Sequence, residues 1–256
     1  MSEASGPDTD ARPDTDARPA GVSPRLDDAR PLTVVLVRHG VTPLTEAGVG
    51  SGSDVPGPPL SARGRIQAAQ AADAVFRVGR APRAGAASSG GMRGGGLWPD
   101  LPRPTALVAS PAVRAQETAA AVGRRLGLHV STDDRFAEFR FGQWEGRTVP
   151  EIEQEWPGAL AQWRSTGTFE PPGGESYAQL GARVWDGLTD LLAGGVDRTV
   201  VVVGHAGQIR TAVGQALGAP AATWSRLRIP PASLSVLRLW ADGSTEVTAV
   251  GVPTDG

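Results

Sequence analysis

Leu32-Thr-Val-Val-Leu-Val37 runs without a break into Arg38-His39-Gly40, and this stretch decides the fold. Apart from Thr33 the run is aliphatic, with no alternation of polar and apolar positions. Continuous aliphatic runs belong to strands covered on both faces, as in a parallel sheet flanked by helices, whereas half-exposed strands alternate. A second run of the same kind, Arg198 to Gly204 with Val200-Val-Val-Val203 inside it, leads into His205-Ala206-Gly207. Between and around them lie amphipathic segments. Ser61 caps a helix reaching about Val78, with apolar Ile66, Ala69, Ala72, Val75 and Phe76 three or four apart. Thr105 to Ala109 is a further strand. Pro111 suits the first turn of a helix that reaches Leu126 and stops at Gly127. His129-Val130 opens a short strand. Arg147 to Thr166 reads as short helices broken at Pro157-Gly158, Glu175 to Leu192 as a long helix and Gln208 to Leu217 as another. Ser233 to Trp240 and Glu246 to Val250 alternate more and suit an antiparallel pair. Strands alternating with helices specify an α/β fold, a three-layer αβα sandwich with a mostly parallel central sheet.

Two stretches fall outside this rhythm. Residues 1 to 31 carry a tandem hexapeptide, Asp8-Thr-Asp-Ala-Arg-Pro13 and Asp14-Thr-Asp-Ala-Arg-Pro19, too polar and proline-rich to offset the entropy of ordering, so a disordered tail is expected. Gly79 to Pro104, centred on Gly94-Gly95-Gly96, reads as a low-complexity insertion in a domain spanning 32 to 252.

Composition removes whole classes of chemistry. The 256 residues contain no cysteine, which excludes disulfide frameworks, thiolate zinc sites and cysteine nucleophiles. All 25 basic residues are arginine, so a P-loop lysine and Schiff-base catalysis are excluded as well. A net charge of −2 does not suit a nucleic-acid binder. No apolar run approaches the ~20 residues that span a bilayer. The acidic, proline-rich start does not resemble a secretory signal, so a cytoplasmic location is expected. Oligomeric state is not legible.

The three histidines are His39, His129 and His205. Ligands of open α/β sheets bind at the carboxyl ends of strands, where His39 and His205 fall. Small residues follow each of them, so backbone N–H groups can approach a ligand closely beside a helix N-terminus. Arg38 adds a fork of donors beside His39, and Arg114 stands just past the strand ending at Ala109. Two arginines, two imidazoles and helix N-termini make a pocket for a tetrahedral oxyanion. A metal site would want carboxylates or a third imidazole, and neither metal nor cofactor is expected. His129 has no arginine beside it and reads as a partly exposed structural residue.

Five ordered motifs add a resemblance. Leu36-Val-Arg-His-Gly40, Ala109-Ser-Pro-Ala-Val-Arg-Ala-Gln-Glu-Thr118, Glu138-Phe-Arg-Phe-Gly-Gln-Trp-Glu-Gly146, Gly173-Gly-Glu-Ser176 and Val203-Gly-His-Ala-Gly207 resemble those of the histidine phosphatase superfamily, the phosphoglycerate mutase-like, Arg-His-Gly family. The similarity covers roughly residues 32 to 218. It implies the phosphoglycerate mutase-like fold, with His39 as a nucleophile that becomes phosphohistidine. It implies that Arg38, Arg114 and His205 bind the phosphoryl oxygens, and that Glu138 is the general acid that later activates water. Spacing alone does not choose Glu138 over Glu145, Glu151, Glu153 or Glu155; the family's phrase does. Thr42 matches a frequent Ser/Thr and is either a further phosphate-binding candidate or a turn-capping hydroxyl, while Thr45 stands where the family commonly has asparagine. Trp144, Trp156 and Trp163 are either core or a roof over the substrate.

Mutases of the family carry a longer insertion after the acid glutamate and a characteristic Glu-Arg-His-Tyr sequence. The shorter Glu138-Phe-Arg-Phe141 resembles the phosphatase branch that includes broad-specificity and α-ribazole phosphatases. The expectation is a metal-independent hydrolase of a small phosphorylated metabolite, with a phosphoglycerate mutase-type phosphotransferase or a non-catalytic phosphate-binding module as alternatives.

Overall fold

The computed structural model describes residues 30–53, 56–81 and 96–255. The tandem hexapeptide and residues 82–95 of the expected insertion lie outside them. Six strands form one sheet: β1 (Leu32–Arg38), β2 (Pro104–Ala109), β3 (Val130–Thr132), β4 (Arg198–Gly204), β5 (Leu234–Leu239) and β6 (Thr245–Val252), in the spatial order β3-β2-β4-β1-β5-β6. β1 pairs with β4, β4 with β2, and β2 with β3, all parallel. β5 runs antiparallel to both β1 and β6. The sheet is mostly parallel, as its aliphatic runs require.

The strands bury both faces because both are covered. Leu32, Val34 and Leu36 of β1 and Val200 and Val202 of β4 face one core. The long helix α6 (Tyr177–Ala193) and α7 (Ala206–Ala216) close it with Leu180, Val184, Leu188, Ile209 and Val213. The alternate side chains Val35, Val37, Val201 and Val203 face α2 (Ala62–Arg77) and α3 (Val113–Leu126), which supply Ala71, Val75, Ala115, Ala119 and Val122. A side chain of this size, fully buried, contributes about 1.5–3 kcal/mol, so the aliphatic rows of β1 and β4 contribute on both faces of the sheet.

Local signals set the helix ends. Ser61 Oγ accepts from the Gly64 amide, and Gly127 closes α3 with φ 71°, a conformation that favours glycine. The expectation that Pro111 opens the helix is corrected: α3 starts at Val113, with Ala112 as N-cap. The Ser110 hydroxyl accepts from the Ala112 amide and holds Ser110 to Ala112 in a turn. The helical region before α6 divides into α4 (Val149–Glu155) and α5 (Ala159–Thr166) at Pro157-Gly158. Two one-turn helices, α1 (Pro43–Glu46) and α8 (Ala221–Trp224), complete the set. Residues on either side of 82–95 pack tightly: Val78 bridges Leu97 in parallel, the Gly79 amide donates to the Leu97 carbonyl at 3.0 Å, and Leu101 joins the core beneath α2.

Candidate active site

β1, β2 and β4 end level with one another. Arg38 pairs in register with Gly204, and Ala109 with Val203. The next residues, His39, Ser110 and His205, therefore leave the sheet side by side. The His39 amide donates to the Gly204 carbonyl at 3.0 Å. His39 Nδ1 lies 2.6 Å from the Gly40 carbonyl oxygen, which can only accept, so Nδ1 carries the proton. Nε2 is left with its lone pair. His205 packs edge-on against His39 with ring centroids 5.1 Å apart, and its Nε2 is 2.7 Å from Ser110 Oγ. Burial, then the neighbouring Arg114, holds each imidazole well below the ordinary histidine pKa, with Arg38 acting in the same direction on both. Both rings are neutral at physiological pH.

Arg114 sits in the first turn of α3 and is 1% exposed. Its Nε donates to His39 Nε2 at 3.2 Å, and its Nη2 donates to the carbonyls of Ser51 at 3.0 Å and Gly52 at 3.1 Å. That loop is fastened in turn, because the Gly52 amide donates to both carboxylate oxygens of Glu145 at 2.9 Å. Thr118 Oγ1 donates to the Arg114 carbonyl at 2.8 Å and accepts from the Gly40 amide at 3.3 Å. Arg38 anchors through Nη1 to the Ile229 carbonyl at 2.7 Å. Burial pulls its guanidinium down to about 10, against the attraction of Glu138, so it stays charged at neutral pH. Arg38 Nε, Arg114 Nη1 and His205 Nδ1 are buried with no hydrogen-bond partner among the described residues. A bound oxyanion could satisfy such donors, whose loss of water is otherwise costly.

Glu138 follows a 3-10 turn at Asp134–Phe136 and is 9% exposed. One carboxylate oxygen accepts from the Phe139 amide and the other from the Gly207 amide in the first turn of α7, each at 3.1 Å. A Cβ on residue 207 would stand 2.2 Å from Glu138 Oε1, so this approach requires glycine. Arg38, His39, Thr45, Arg114, Glu138 and Phe141 line a cavity of about 210 Å³. A second cavity of about 220 Å³ shares Val49, Gly50 and Phe141 with it and continues over Trp144, Ile152, Leu160 and Trp163.

Arg38, His39, Arg114 and Glu138 thus converge on one cavity, with His205 completely buried against His39. Thr42 does not line it. Its hydroxyl accepts from the Thr45 amide at 3.1 Å as the N-cap of α1, and Thr45 faces the cavity instead. His129 is exposed just before β3. Trp144 and Trp163 belong to the core and also wall the second cavity. Sequence reasoning weighed Glu145 only as a rival to Glu138, and it passed over Glu175, Arg183 and the hydroxyls of Ser110 and Thr118 that hold His205 and Arg114. Glu145, Glu175, Ser110 and Thr118 all stand inside the motifs, so position was the available signal. Among the described residues no group of three His, Asp or Glu side chains is placed to hold a metal ion, and no helix is long and apolar enough to cross a membrane.

A family model, histidine phosphatase superfamily (branch 1), matches residues 100–251. The chain belongs to the histidine phosphatase superfamily. The bifunctional protein Rv2228c of Mycobacterium tuberculosis is 34% identical over 220 residues, covering 86% of this chain and 54% of that protein. Glucosyl-3-phosphoglycerate phosphatase of the same species is 38% identical over 133 residues, 49% of this chain and 60% of the relative. The chain therefore spans little more than half the length of these relatives. The solved structure of mycobacterial glucosyl-3-phosphoglycerate phosphatase with VO3 superposes with a TM-score of 0.71 at 30% identity, over 88% of this chain and all of the other. This superfamily fold is the one described above. Arg38 and His39 precede the matched segment and are joined to it through the β1–β4 and β1–β5 pairings.

Proposed function

We propose that the chain is a phosphoric monoester hydrolase acting through a phosphohistidine on a small phosphorylated metabolite. The observation that carries this reading is the His39 ring, with Nδ1 bound to the Gly40 carbonyl and a neutral Nε2 facing the Arg114 guanidinium. Nε2 attacks phosphorus in line, and the bond to the leaving alcohol breaks as its oxygen takes a proton from Glu138. The ring, protonated at Nδ1 and phosphorylated at Nε2, is cationic, and the Gly40 carbonyl stabilises it. Arg38 and Arg114 offset the charge on the phosphoryl oxygens, with His205 as a further donor. Glu138, now a carboxylate, takes a proton from water that attacks phosphorus. The phosphorus–nitrogen bond breaks, phosphate leaves and His39 is regenerated. Fixed guanidinium charge does the work that a metal ion does in other phosphatases.

The named phosphatase relatives support this reading, one of them solved with inorganic phosphate. A probable phosphoglycerate mutase of Enterobacter, 31% identical over 210 residues and 80% of this chain, keeps phosphotransfer as the second reading. The test is phosphate release from p-nitrophenyl phosphate set against mutase turnover of 3-phosphoglycerate. Hydrolysis is expected to dominate, and robust mutase turnover with negligible hydrolysis would reverse the assignment. His39→Ala is expected to lower hydrolysis by at least about 10³-fold; full activity in that variant would place the nucleophile elsewhere.

A further inference from the structure

Glu138 is held by more than its own two hydrogen bonds. The backbone on either side of it, from Arg135 to Arg140, is gripped by one ion pair between Arg183 on α6 and Glu175 just before that helix. Arg183 Nη1 donates to the carbonyls of Arg135 at 2.9 Å and Ala137 at 2.8 Å, and Nη2 donates to the Glu138 carbonyl at 2.7 Å. Nε and Nη2 also donate to the two Glu175 oxygens, both at 2.9 Å. All five N–H donors of the guanidinium are used. The Glu175 carboxylate, 2% exposed, accepts from the Arg140 amide at 3.3 Å, and the Glu175 amide donates to the Arg140 carbonyl at 2.8 Å.

We propose that Arg183 and Glu175 are positioning residues for proton transfer by Glu138, a role that rests on the phosphatase reading above. Neither lines the cavity at His39. Their effect passes through the carbonyls that set where the Glu138 carboxyl points. Removing the guanidinium strands three carbonyls and a buried carboxylate, whereas lysine offers three donors at a single point and cannot span acceptors on two sides. General acid catalysis depends on sub-ångström placement of the donor, so a loosened loop costs proton transfer before it costs phosphate binding.

The readout is the dependence of kcat/KM on leaving-group basicity, measured with p-nitrophenyl, p-chlorophenyl, phenyl and p-methoxyphenyl phosphates. These substrates differ little in shape but increasingly need a proton on departure. Arg183→Lys is expected to lose at least about tenfold more activity on phenyl than on p-nitrophenyl phosphate, with Glu138→Gln showing the same trend more steeply. A uniform loss along the series, or none, in Arg183→Lys overturns the positioning role. The same flat result in Glu138→Gln overturns the general-acid assignment instead, so the two failures are distinguishable. Should Arg183→Lys fold poorly, the isosteric Glu175→Gln is read on the same series, and a flat response there also overturns the proposal.

Discussion

The buried imidazoles of His39 and His205 tie catalysis to stability at the scale of single residues. Each is held below its ordinary pKa, so the unfolded chain takes up protons first as the pH falls. Stability contributed by the neutral rings is therefore complete above about pH 6.5. It declines below that, by about 1.4 kcal/mol per pH unit for each histidine, until the folded groups themselves titrate. Urea midpoints are expected to drop between pH 7.5 and 5.5, and His39→Asn is expected to remove about half of that drop. Equal midpoints at the two pH values in the parent protein would show that the rings are not held neutral. The two histidines were legible in sequence because each follows an aliphatic run long enough to fix a strand end. Thr42 stood open between two roles, since a hydroxyl that caps a helix and one that binds phosphate look alike in a string of letters, and its capping of α1 is what the structure shows. Arg183 acts on carbonyls of residues 135, 137 and 138, and carbonyls leave no mark in the sequence.

At the level of elements, the first turn of α7 meets the loop that carries Glu138, and Gly207 is the point of contact. Gly207→Ala would drive a Cβ into Glu138 Oε1 and the Phe139 ring. Stability is expected to fall by about 1–3 kcal/mol, as for other overpacked sites, with kcat/KM lowered at least about tenfold. Thermal melts and hydrolysis of p-nitrophenyl phosphate check both. Ser61→Ala, by contrast, is expected to cost about 1 kcal/mol through loss of the α2 cap while leaving kcat unchanged. A parallel change in kcat would mean that α2 reaches the site. Most element boundaries were legible because caps and glycines mark them chemically. The start of α3 was not: proline tolerates the first helical turn equally well when it sits in a preceding turn, and the choice was made by the Ser110 side chain.

For the molecule as a whole, a cavity walled by Arg38 and Arg114 is a reservoir of stability that a ligand can draw on. Vanadate or phosphate at a hundred times its dissociation constant is expected to add about 2.7 kcal/mol, visible as a rise in melting temperature that His39→Ala and native protein share more nearly than Arg114→Ala does. No rise in the native protein would mean that the folded chain does not bind these anions, and a rise that Arg114→Ala keeps in full would place their binding outside this cavity. The three-layer architecture was legible from the alternation of strands and helices, whereas the two joined cavities depend on how the loop around Gly50 folds over Phe141, which no periodicity encodes. The β1–β4 pairing has a kinetic consequence as well. Arg38 and Gly204 are neighbours in space but lie far apart in sequence, with β2, α3 and α6 between them, so their ladder closes one of the longest loops in the chain. Contacts of such high order form slowly relative to local helices. On dilution from denaturant, helical circular dichroism is expected to return ahead of hydrolysis, so that regained turnover times the closing of the central strands.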